Sequence, residues 1–106
     1  MKEVRILSPN GMLGYGFPKR SFAEGMKRKP HAICVDAGST DGGPQKLGAG
    51  VGITSRAMVK QDLEVMISAG LNAGIPVLIG SAGGSGGARH IAWTMEIIQD
   101  LVHLHG

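Results

Sequence analysis

Apolar positions along the chain follow two rhythms. Short runs of β-branched or apolar residues, VRIL at 4–7, AICV at 32–35 and PVLIG at 76–80, each lead into glycine, and each is followed by apolar residues at helical spacing. Unbroken apolar runs are the pattern of parallel strands buried on both faces. The order β-α-β-α-β-α predicts a parallel sheet with right-handed crossovers. The expected fold is therefore α/β, a three-layer Rossmann-like parallel sheet with strand order 2-1-3 and 3-2-1 as the rival.

Local signals bound the helices. Pro18 suits a first helical position and Pro30 cannot continue a helix, so the first helix lies between them. Thr54 or Ser55 caps the start of the second, and Gly74, followed by Pro76, supplies a left-handed cap at its end. Its stripe is Val59, Leu63, Met66 and Ile67. The third runs from about Ala88 to Gly106 on a stripe of Ile91, Met95, Ile98 and Val102. Met58, Val65, Trp93, Ile97 and Leu101 lie off these stripes, which is more apolar surface than single-sided burial uses. With a sheet this thin, residues 1–106 are expected to be one α/β domain that is incomplete without a partner, either the first part of a larger domain or a small subunit of a homo-oligomer.

Composition narrows the function classes. At 106 residues and 42% apolar, the chain suits a single folded domain, and its excess is 18 Gly. The net charge of +3, with one Trp, one Tyr and two Phe, lacks the dense basic stripe and stacking aromatics of a nucleic-acid binder. No run is long enough for a signal peptide or a membrane span. The single Cys34 stands in an apolar run and reads as a small core residue. These features point to a cytoplasmic protein with neither nucleic-acid nor membrane partners.

The glycines gather in SPNGMLGYG at 8–16, DAGSTDGG at 36–43 and GSAGGSGG at 80–87. All three follow strands, at the edge where open parallel sheets bind ligands. Glycine there lets a ligand approach main-chain N–H groups, and the following helix adds its positive end. Each helix also carries a cation in about its first turn: Lys19 and Arg20, then Arg56, then Arg89 with His90. Such cations oppose the helix dipole by roughly 0.3–1 kcal/mol each, and a bound anion would reverse that sign. The crevice so defined takes an anionic small molecule through Asn10, Gly11, Gly14, Arg20, Gly38, Ser39, Thr40, Arg56, Ser81, Gly83, Gly84, Ser85, Gly86 and Arg89. Tyr15 can orient a substrate. DGGPQKLGAGVGI at 41–53 exceeds an ordinary connection and suggests a functional loop.

Asp36 and Asp41 are the candidate catalytic pair, for acid/base chemistry or a divalent cation; the plainer alternative is that Asp41 makes a turn and Asp36 accepts loop N–H bonds. A nucleophilic role for Ser85 requires a base, and only His90 is close in sequence. His31, His103 and His105 show no metal-ligand spacing with cysteine, and no metal set is assigned. GSAGGSGGAR lacks the Lys-Ser/Thr of a P-loop, and neither it nor GMLGYG spells the dinucleotide fingerprint. VDAGST is similar to the first phosphate motif of actin-like ATPases, but no second hairpin strand follows. No cofactor is assigned.

RILSPNGMLGYGFP, VDAGSTDGGP, TSRAMVKQDLE and IGSAGGSGGARHIAWT together resemble the amino-terminal portion of the acyclic terpene utilisation (AtuA-like) family, over nearly the whole chain. The resemblance implies acyl-coenzyme A chemistry in terpene or related acyl catabolism, and transfers no catalytic residues. Its members are several times longer, in keeping with the expectation of further chain or a partner. The leading expectation is a metabolic α/β enzyme domain binding a phosphate-bearing or acyl-coenzyme A molecule, with no reaction type assigned. A non-catalytic assembly module and ATP-dependent phosphoryl transfer are the alternatives.

Overall fold

Three strands pair in parallel in the order β1-β2-β3, where β1 is Ile6–Leu7, β2 is Ala32–Asp36 and β3 is Val77–Gly80. The helices between and after them are α1 (Lys19–Met26), α2 (Arg56–Ala73) and α3 (Ala88–His105), with a short 3₁₀ turn at Ala82–Gly84. The computed structural model describes residues 3–38, 48–49 and 54–105.

Capping chemistry explains the boundaries. Pro18 precedes the first turn of α1, and the Ser55 hydroxyl accepts a hydrogen bond from the Met58 N–H at the head of α2. Gly74 ends α2 in the left-handed region at φ 68°, which lets the chain turn directly into β3.

The strand order corrects the expected 2-1-3 to its rival. It also removes the third layer among the described residues. When successive parallel strands are added in one direction, crossovers of one hand leave every helix on the same face; the order 2-1-3 would have reversed direction once and put helices on both. Register makes the one-sidedness explicit. Leu7, Ile33 and Val77 stand in one row, and Val35 and Ile79 in the next. These face α1 and α2: Leu7 abuts Gly25 of α1, and Val77 abuts Gly70 of α2. Ile33, Val35, Phe22, Leu13, Val59, Leu63, Met66, Ile97 and Leu101 form the buried core on that side. On the other face Ile6 is 62% and Leu78 57% exposed, and Ala32 and Cys34 are half-buried. Cys34 is thus not a core residue but part of this open apolar face.

The last helix brings a second correction. Its core-facing side is His90, Thr94, Ile97 and Leu101, all buried. The expected stripe is turned outward: Ile91, Met95 and Val102 are each about half exposed, and only Ile98 packs against the core. Both sets have the same spacing along the helix, so the periodicity alone does not choose between them. The stripe on α2 is as expected, with Val59, Leu63 and Met66 buried and Ile67 packed beside them.

Candidate functional site

The three glycine loops meet at the carboxyl edge of the sheet. The Leu13 N–H of the first loop donates to the Asp36 carbonyl at the end of β2, 2.8 Å away, and the Ala37 N–H donates to the Gly80 carbonyl at the end of β3, also 2.8 Å. A Cβ built on Gly38 would lie 2.7 Å from the Ser81 Cβ and 3.2 Å from the Gly84 carbonyl oxygen, so the second and third loops are in direct contact. Asn10, Gly14, Asp36, Gly38, Ser81, Gly83 and Gly84 therefore lie in one cluster of connected loops.

What fills the close approaches is the protein's own chain. In the first loop, the Gly14 and Gly16 N–H groups both donate to Asp62 Oδ2, at 2.7 and 3.1 Å. Asp62, on α2, is 4% exposed. Two left-handed glycines, at φ 101° and 80°, aim their N–H donors from either side of Tyr15 at one oxygen and make a small anion-binding concavity, already occupied by this carboxylate. Thr54 closes the opposite side, its Oγ1 only 2.5 Å from where a Gly14 Cβ would be. Asn10 Nδ2 ties the loop shut on the Gly16 carbonyl at 2.9 Å. Asp62 was not among the expected site residues. Its sequence signal is an acid inside the apolar stripe Val59-Asp62-Leu63-Met66, a position where an unpaired carboxylate is rarely tolerated.

In the third loop the neighbour is α3. A Cβ on Gly83 would fall 2.5–2.7 Å from the Cβ, carbonyl oxygen and Cα of His90, so only glycine fits between the turn and the helix. His90 is 2% exposed, and its carbonyl accepts from the buried Thr94 hydroxyl at 2.9 Å. His90 is thus buried against the third loop, packed on Gly83. Ser81 takes the left-handed conformation at φ 50°, a strained one for a residue with a Cβ. The turn is closed by Gly84 N–H to Ser81 and Gly86 N–H to Ala82.

The proposed charges and catalytic acids do not all behave as expected. Asp36 Oδ1 accepts the Gly38 N–H at 2.7 Å, the local turn that was the plainer reading of this residue. Arg56, at the head of α2, pairs with Asp100 of α3, and both side chains remain substantially exposed. Its charge is therefore shared with a carboxylate. Arg20 and Arg89 are exposed and form no ion pair with a described residue. Gly11 faces open space. Ser39, Thr40 and Asp41, with most of the long loop at 41–53, lie outside the described residues.

Among the described residues, no group of three or more His, Cys, Asp or Glu side chains is placed to hold a metal ion, and no helix is long and apolar enough to cross a membrane. The chain matches no protein-family model, no curated protein and no solved structure with which it was compared.

Proposed function

We propose that this chain is a Rossmann-like α/β domain that binds an anionic small molecule at the carboxyl edge of its sheet, the ligand being phosphate-bearing or an acyl-coenzyme A ester. The observation that carries the reading is the convergence of three glycine loops at that edge, with the exposed Arg89 in the first turn of an 18-residue helix directly after the third loop. The first loop is filled by Asp62, so the ligand's place is the third loop and the head of α3, where helix dipole and guanidinium attract the same charge. Gly38, Ser81 and Ser85 border this region. Participation in acyl catabolism of the AtuA-like kind, suggested by the sequence resemblance, belongs to the same reading. Asp36, held in its turn, shapes the second loop; a catalytic role for it with Asp41 stays part of the proposal only if turnover is found.

The test is a thermal-shift series against phosphate, nucleotides, coenzyme A, short acyl-coenzyme A esters and carboxylates. A ligand at about 100 times its Kd stabilises by roughly 2.7 kcal/mol. The expected result is a saturable rise in Tm with one of these classes that disappears in Arg89→Ala. No shift with any of them sinks the reading. A second reading, a non-catalytic assembly module, is favoured by a separate observation: the open apolar face bearing Ile6, Ala32, Cys34 and Leu78.

A further inference from the structure

The two edges of the sheet are built differently. The β1 edge is two residues long and flanked by Arg5, which pairs with Glu3 at 2.7 Å and donates to the Lys29 carbonyl. Short length and charge are the usual devices that keep an edge from pairing. The β3 edge has neither: Val77–Gly80 is four residues long and carries no charge, proline or bulge. Among the described residues it has a strand on one side only.

Its polarity can be assigned. The carbonyls of Pro76 and Gly80 accept from Ile33 and Ala37, so even-numbered residues turn their main-chain groups toward β2. Alternation along the strand turns the N–H and C=O groups of Val77 and Ile79 outward. Beneath this edge lies an apolar groove of about 270 Å³, lined by Leu71, Ile75, Val77, Ile79 and Ile98. Ile98 also belongs to the outward stripe of α3, Ile91, Met95, Ile98 and Val102, whose 4-3-4 spacing is that of a two-helix seam.

We propose that two copies of this chain associate across a two-fold axis, pairing β3 antiparallel with β3 of the partner. The sheet then continues through both copies, and the outward stripe of each α3 packs near the axis. Placing the axis at Leu78 sets Val77 opposite the second copy's Ile79, and these residues exchange both of their outward hydrogen bonds. Leu78 then stands opposite its own mate in the intervening non-hydrogen-bonded pair. The register is self-complementary, as a closed two-fold contact requires. The charge distribution favours an identical partner. At about 100° per residue, the side of the stripe away from the core carries Ala88, Ala92 and Gln99, while Arg89, Glu96, Asp100 and His103 lie further round the helix, away from the seam. Two identical helices meet there without like-charge repulsion. The contact is independent of whether the carboxyl edge binds an anion.

Leu78 gives the test, because it is exposed in the single copy and meets only itself in the pair. Sedimentation equilibrium at micromolar concentration is expected to give the mass of two chains for the wild type. Leu78→Lys and Leu78→Asp each place like charges in direct opposition and are expected to weaken self-association about 100-fold, leaving the mass of one chain with unchanged circular dichroism. Mixing the Lys and Asp variants is expected to restore the mass of two chains. A monomeric wild type, or species larger than two chains, overturns the proposal. So does a Lys variant that still dimerises, or a mixture that fails to restore pairing.

Discussion

The first and third glycine loops lie at the same sheet edge, on either side of the second, yet their glycines answer different demands. In the first, Gly14 and Gly16 present N–H donors, and a buried carboxylate from α2 receives both. In the third, Gly83 is a matter of space, since His90 of the following helix leaves no room for a methyl group. One loop is held electrostatically by a distant helix and the other sterically by its own. A glycine-rich loop at a carboxyl edge therefore has two internal explanations that must be set aside before a ligand is needed.

Substitution separates the two demands. The largest effect is expected for Gly83→Ala, which combines a left-handed backbone with sub-contact distances to His90 backbone atoms; a loss of about 4 kcal/mol or more is expected, and urea unfolding or failure to purify as folded protein reports it. A nearly unchanged midpoint would mean that the loop and α3 are not packed as described. Asp62→Ala follows, at about 3 kcal/mol, because two N–H groups lose their acceptor beneath the surface. Asp62→Asn, whose amide oxygen can still accept, is expected to recover most of that loss, and equal damage in both variants would contradict an acceptor role. The smallest is Gly16→Ala, where nothing lies within 4 Å and the left-handed φ of 80° alone costs about 1 kcal/mol. A loss as large as that of Gly83→Ala would erase the contrast between the loops.

How much of this was legible in the sequence depends on the range of the interaction. Ser55 and Gly74 act within one turn of their own helix, and their types alone located both ends of α2. The face that α3 buries was not legible, because 90-94-97-101 and 91-95-98-102 are equally regular and differ only in which one meets α2. Ranking by hydrophobicity favours the second set, whereas the fold buries the one containing His90 and Thr94, with His90 packed against Gly83 of the third loop. Strand order failed for a related reason, since nothing within a single β-α-β unit says in which direction the next strand is added. For the site, clustering of the loops followed from topology and was foreseen. That Asp36 would bond its own turn and Arg56 would pair with Asp100 rests on contacts across the fold.

The carboxylate of Asp62 has a temporal consequence as well. It lies 48 residues beyond Gly14, past the first two strands and inside a helix that must itself be docked before the carboxylate reaches its donors. Closing so long a segment is entropically costly until other contacts have formed. The first loop is therefore among the late-ordering parts of the chain during refolding, and during synthesis it waits, unclosed, until α2 has left the ribosome.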